Sequence, residues 1–214
     1  MIKAVIFDFD GLLVDSEPIY VSANKRFLAE RGVQDFSIIE KIFGMRAEET
    51  FVLMKDTFKL KGSVEEMMNI RNNYILEDFE NGKLNLMPNL IKVLDILQEK
   101  YSLSIGSSSK KVLLQKAMEI HNITKYFPII VCGDDVIKGK PEPDIYLKVA
   151  ERLNLDPSEC IVLEDAPNGI LAGKRAGMST IAIPNAQTKH LDFPTPDYRI
   201  HGLKDVPELL GLRF

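Results

Sequence analysis

Two aspartates, Asp8 and Asp10, stand one residue apart at the end of a short apolar run, Ile2-Lys3-Ala4-Val5-Ile6-Phe7, and are followed by Gly11. Carboxylates this close repel each other unless a cation or a shared proton compensates. Three later stretches offer complementary groups: Ser107-Ser108-Ser109-Lys110, Gly139-Lys140-Pro141-Glu142-Pro143-Asp144, and Glu164-Asp165. Together they supply carboxylates, a hydroxyl and a lysine, the parts needed for phosphoryl transfer. A carboxylate can attack phosphorus, and a second acid two residues away can protonate the leaving oxygen and later activate water. Ser107 and Lys140 can hold the equatorial oxygens. Mg²⁺ would offset the repulsion between a carboxylate nucleophile and a phosphate dianion, and needs only one or two protein carboxylates beside the phosphate.

Each group also has a plain structural alternative. Asp10-Gly11 makes a turn by itself, Lys140 could be a solvated lysine, and Ser109 reads as a helix cap. Ser107 is no nucleophile elbow, because the second glycine of G-x-S-x-G is missing. What favours chemistry is that all four occur together: three close apolar runs, and Lys140 follows a further one in its loop. Residues 2–7, Leu103–Ser107, Pro128–Cys132, Ile161–Asp165 and Thr180–Ile183 read as buried strands. Helical periodicity separates them: Leu90, Leu94 and Leu97; Leu113, Ala117 and Ile120; Ile145, Val149 and Leu153; and Ile170 to Gly177. Tyr198–Ile200 reads as a last short strand before a C-terminal helix. This alternation predicts an α/β fold, a doubly wound (Rossmann-like) parallel sheet with helices on both faces. Strand ends in such sheets converge on one edge, where ligands bind.

Residues 17–82 have a different texture. Ser16-Glu17-Pro18 starts a helix lined by Ile19, Ala23 and Phe27 and stopped at Arg31-Gly32. Phe51, Met54 and Phe58 mark a second helix. Ser63-Val64-Glu65-Glu66 is a capping box opening a third, closed by Asn81-Gly82. The reading is a catalytic core of residues 1–16 and 83–214 with a small helical-bundle cap, 17–82, inserted after the first strand.

Composition narrows the classes. The 214 residues are 45% hydrophobic and 27% charged, with a net charge of −4, as expected of a soluble globular chain and against a general binder of nucleic acid or anionic membrane. Cys132 and Cys160 sit in apolar runs and read as reduced core thiols. No apolar stretch reaches membrane-spanning length, and the N-terminal run is too short for a signal peptide. The expectation is a cytoplasmic protein, monomer rather than obligate oligomer, acting on a small phosphorylated substrate.

In these residues the chain resembles the haloacid dehalogenase superfamily along nearly its whole length. Asp8-Phe9-Asp10-Gly11, the strand ending at Ser107, Lys140 in its Lys-Pro-x-Pro setting and Glu164-Asp165 occur in the family's order, and Asp8–Pro18, Lys140–Tyr146 and Leu163–Gly169 are similar to its β-phosphoglucomutase-like branch. The resemblance implies that Asp8 is the nucleophile and Asp10 the general acid/base. It further implies that Asp8, the Asp10 backbone carbonyl and Asp165 bind Mg²⁺, that Glu164 ligates or supports it, and that Ser107, Ser108 and Lys140 hold the phosphoryl group. Members acting on carbon–halogen or carbon–phosphorus bonds typically carry another residue where Asp10 stands. The branch's mutases typically present Thr and, four residues on, His, where this chain has Ser16 and Tyr20, and its three histidines lie outside the cap. A tyrosine is a poor substitute for histidine in gating proton transfer near neutral pH. A phosphatase is therefore preferred to a phosphosugar mutase. A receiver-type phospho-acceptor is a third reading, but such domains typically have adjacent acids and lack a helical insertion. Gly44-Met45-Arg46 falls in a break between cap helices, and Arg46 is the candidate contact for the remote part of the substrate.

Overall fold

Residues Ala4–Phe7 form strand β1, with every residue buried, which is why the run is apolar throughout rather than alternating. The computed structural model describes residues 1–42, 45 and 47–214. Five further strands join β1 in one sheet: β2 (Ser102–Gly106), β3 (Ile129–Val131), β4 (Cys160–Glu164), β5 (Ser179–Ala182) and β6 (Tyr198–Arg199). Their order is β3-β2-β1-β4-β5-β6, and every pairing is parallel. The predicted doubly wound α/β fold is therefore present. The chain steps from β1 outward to β3 and then crosses back to β4, so the topological switch point lies at β1. Phe7 pairs with Ile105 on one side and Leu163 on the other, which sets the ends of β1, β2 and β4 side by side.

The chain divides into two compact units, Met1–Asp15 with Asn85–Phe214, and Ser16–Leu84. In the first, α5 (Leu90–Leu97), α6 (Lys111–Ile120), α7 (Asp144–Leu153), α8 (Pro167–Arg175) and α9 (Val206–Leu209) connect and cover the strands. The period of 2 along β1 puts Ala4 and Ile6 on one face, in a core with Ile145, Tyr146, Val149, Ala150, Val162 and Ala172. Phe7, on the other face, meets Phe127 edge-on at 5.8 Å between ring centroids.

The second unit holds α1 (Glu17–Ala29), α2 (Ile38–Lys41), α3 (Ala47–Phe58) and α4 (Val64–Glu80), with no strand among its described residues. Phe27 of α1 and Phe51 of α3 pack edge-to-face at 5.0 Å. Arg71 of α4 is buried, its guanidinium 5.3 Å and 5.4 Å from the Tyr20 and Phe51 rings. The α4 capping box is formed as read: the Glu66 amide donates to Ser63 Oγ at 3.1 Å, and the Ser63 amide donates to Glu66 Oε2 at 2.9 Å. Ser16 stands at the start of α1 in helical geometry, without the side-chain capping bond its position suggested. Cys160 lies in β4 as expected, whereas Cys132 falls one residue past β3. Both are buried free thiols, and burial pushes the Cys160 thiol up to about 11. No helix among the described residues is long and apolar enough to cross a membrane.

Replacing Ser63 with Ala removes one orphan-donor partner at the start of α4. It should cost about 1 kcal/mol in urea unfolding followed by circular dichroism.

Candidate active site

Turns at the carboxyl edge of the sheet bring Asp8, Ser107, Lys140, Glu164 and Asp165 together, all within the α/β unit. Asp8 follows β1 directly, and its amide donates to the Leu163 carbonyl at 3.0 Å. Ser107 follows β2 and Glu164 ends β4, with Asp165 next. Lys140 enters from the loop before α7, ahead of a cis peptide to Pro141. Asp8, Ser107, Lys140, Glu164 and Asp165 are all buried.

Lys140 Nζ donates to Asp8 Oδ1 and to Glu164 Oε1, each at 2.6 Å. Glu164 Oε1 also accepts from the Tyr146 hydroxyl at 2.6 Å, while Oε2 accepts from the Ala166 amide at 3.3 Å. Glu164 is thus largely engaged by the protein itself. A Cβ on Gly169 would lie 1.7 Å from Glu164 Oε1, so no side chain fits at position 169 while Glu164 keeps this pose. Gly11 is constrained twice. Its φ is +75°, and a Cβ there would sit 2.5 Å from Asp165 Oδ2.

Asp8, Glu164 and Asp165 offer carboxylate oxygens within 4.8 Å of one another. With all three acids ionised around one ammonium, the buried cluster would be net negative, which favours protons or a cation. Burial first, and then the Glu164 charge, push the Asp8 carboxyl up to about 7 despite Lys140. The same two causes, followed by Asp8, raise Asp165 well above the usual carboxylate range. Burial alone would lower the Lys140 ammonium, but the Asp8 and Glu164 charges outweigh it and hold it protonated. A hard, oxygen-seeking divalent cation matches this donor set and charge deficit.

The Asp10 side chain is not part of that cluster. Its Oδ2 accepts from the Ser109 hydroxyl. Ser109 is therefore not the helix cap its sequence position suggested: α6 begins after Lys110, and its Lys111 amide donates instead to Asp134 Oδ2 at 2.6 Å. Asp134 also pairs with Lys110 at 2.8 Å. Ser107 Oγ accepts from the Ser109 amide at 3.1 Å, and Ser108 is exposed beside it. Gly44 and Arg46 lie outside the described residues. Sequence reasoning missed Ser109's role, Tyr146, Asp134 and Asn185. Asn185 bonds to Asp165 Oδ2 at 2.8 Å.

A model of haloacid dehalogenase-like hydrolases matches residues 5–183. The chain belongs to this family. It is 32% identical over 183 residues to the phosphorylated carbohydrates phosphatase of Thermotoga maritima, covering 84% of this chain and 83% of that one. It is also 32% identical over 217 residues to a Drosophila melanogaster protein named "Probable pseudouridine-5'-phosphatase", covering 97% and 93%. Among solved structures, CbbY of Rhodobacter sphaeroides, in complex with xylulose 1,5-bisphosphate, superposes with a TM-score of 0.87 over 100% of both chains at 22% identity, which shows a shared fold.

The raised Asp8 carboxyl makes the cation-free fold bind a proton that the unfolded chain releases near pH 3.8. Stability in EDTA should therefore fall as pH rises from 5 to about 7, with the raised Asp165 carboxyl acting in the same direction. Asp8→Asn should flatten that decline. Thermal melts of the two proteins across this range measure the difference.

Proposed function

We propose that this protein is a Mg²⁺-dependent phosphatase that hydrolyses a small phosphorylated metabolite, a sugar phosphate or nucleotide-like monophosphate, through a phosphorylated Asp8. The observation that carries the reading is the different treatment of the two opening acids. Asp8 is buried against Lys140 in a cluster of three acids and one ammonium, whereas Asp10, two residues on, is partly exposed and engaged by Ser109. Two carboxyl groups in unlike environments suit two roles.

Asp8, the Asp10 backbone carbonyl and Asp165 would hold Mg²⁺, with Glu164 supporting the cluster by orienting Lys140. When bound, the ion would supply the positive charge that keeps Asp8 ionised and screens it from the phosphate dianion. The Asp8 oxygen attacks phosphorus in line as the bond to the leaving oxygen breaks. Asp10 gives that oxygen its proton. Asp10, now a carboxylate, takes a proton from water, whose oxygen displaces Asp8 and releases inorganic phosphate. Ser107 and Lys140 hold the phosphoryl oxygens through both steps, with Ser108 at the same loop. Arg46 is the proposed contact for the rest of the substrate.

Hydrolysis rather than phosphoryl return to a sugar is supported by Ser16 and Tyr20, which replace the mutase Thr and His, and by relatives named as phosphatases. With p-nitrophenyl phosphate, release of nitrophenol should require Mg²⁺, stop in EDTA and be abolished in Asp8→Asn. Asp10→Asn should lower kcat by on the order of 10²- to 10⁴-fold. Full activity of purified Asp8→Asn would sink the mechanism.

A further inference from the structure

Asn185 lies outside the four polar strand ends, in the loop after β5, yet it joins two of them. Its side-chain NH₂ donates to Asp165 Oδ2 at 2.8 Å and to the Gly11 carbonyl at 3.1 Å. The opposite end of the same amide is also fully used. Asn185 Oδ1 accepts from the Gln187 amide at 2.9 Å, the Thr188 amide at 3.1 Å and the Thr188 hydroxyl at 3.2 Å.

These partners fix which end of the amide is which. The Gln187 and Thr188 backbone N–H groups only donate, so the atom facing them must be oxygen. The NH₂ must then face Asp165 and the Gly11 carbonyl, both of which accept. The turn holding Asn185 is thus wound around its own side chain, and its two outward N–H groups are aimed by that winding. There is little slack at the receiving end, because a Cβ on Gly11 would lie 2.7 Å from Asn185 Nδ2.

We infer that Asn185 is a positioning residue for the cation site: it ties down Oδ2 of Asp165, leaves Oδ1 as that carboxylate's oxygen for Mg²⁺, and clamps the Asp8–Gly11 turn to the Asp165 turn. Losing an outer partner of this kind costs a metal site about 10- to 100-fold in affinity. The inference rests on the reading that Asp8 and Asp165 hold Mg²⁺.

The test is Mg²⁺ affinity without substrate, read from the rise in melting temperature along a Mg²⁺ titration. Three proteins are compared: wild type, Asn185→Ser and Thr188→Val. The serine hydroxyl can still accept from the loop amides and keep the turn, but is too short to reach Asp165. Thr188→Val loosens the same loop while leaving the Asn185 NH₂ in place. Asn185→Ser should raise the apparent Mg²⁺ dissociation constant by about 10-fold or more, with a cooperative melt retained in EDTA and KM for p-nitrophenyl phosphate at saturating Mg²⁺ little changed. Thr188→Val should bind Mg²⁺ as wild type does. Unchanged affinity in Asn185→Ser, or an equal loss in Thr188→Val, would overturn the positioning role. A wild type that shows no Mg²⁺-dependent shift would instead remove the metal reading, and this inference with it.

Discussion

Lys140 sits 2.6 Å from both Asp8 and Glu164 where all three side chains are nearly dry. A buried carboxylate is costly, and two beside each other more so. One ammonium shared between two acids makes the arrangement possible, and Asp165 beside them keeps it incomplete. The site's remaining geometry serves that balance. Tyr146 donates to the same oxygen of Glu164 as Lys140 does, the missing side chain at Gly169 makes room for Glu164, and α7 delivers both Lys140's loop and Tyr146. The cluster offers carboxylate oxygens to positive charge, and a divalent cation matches that donor set.

Strand order explains why this cluster forms where it does. β1 lies between β2 and β4, so Asp8, Ser107 and Glu164-Asp165 emerge together although the sequence separates them widely. The helical unit is inserted immediately after the Asp8–Gly11 turn, and the α/β unit holds the whole acidic cluster without it. The candidate site residues Asp8, Glu164 and Asp165 and the helical insertion are therefore separate in the chain's two units.

Much of this was legible in the sequence because the signals were local. Buried parallel strands show as unbroken apolar runs, and β1, β2, β4 and β5 were found within a residue or two. The Ser63–Glu66 box announced α4 through two side chains three residues apart. What escaped was non-local or too short. Helix α2 has four residues, fewer than two turns of periodicity. The cap of α6 comes from Asp134, 23 residues beyond Lys111, so Ser109 looked like the cap and instead bonds Asp10. Tyr146 falls in the apolar stripe of α7, where its ring belongs to the core and only its hydroxyl reaches the site. Asn185, followed by Thr188, carried the local signature of a side-chain-wound turn, but nothing in the sequence tied that turn to Asp165.

The proposed reaction requires Asp8 to form a covalent bond to phosphorus, and the stereochemical course at phosphorus tests this directly. Two successive in-line displacements, first by Asp8 and then by water, return the original configuration, whereas direct attack by water inverts it. Hydrolysis of a monoester made chiral with sulfur and heavy oxygen isotopes, run in isotopically labelled water, should give net retention. Net inversion would contradict the account.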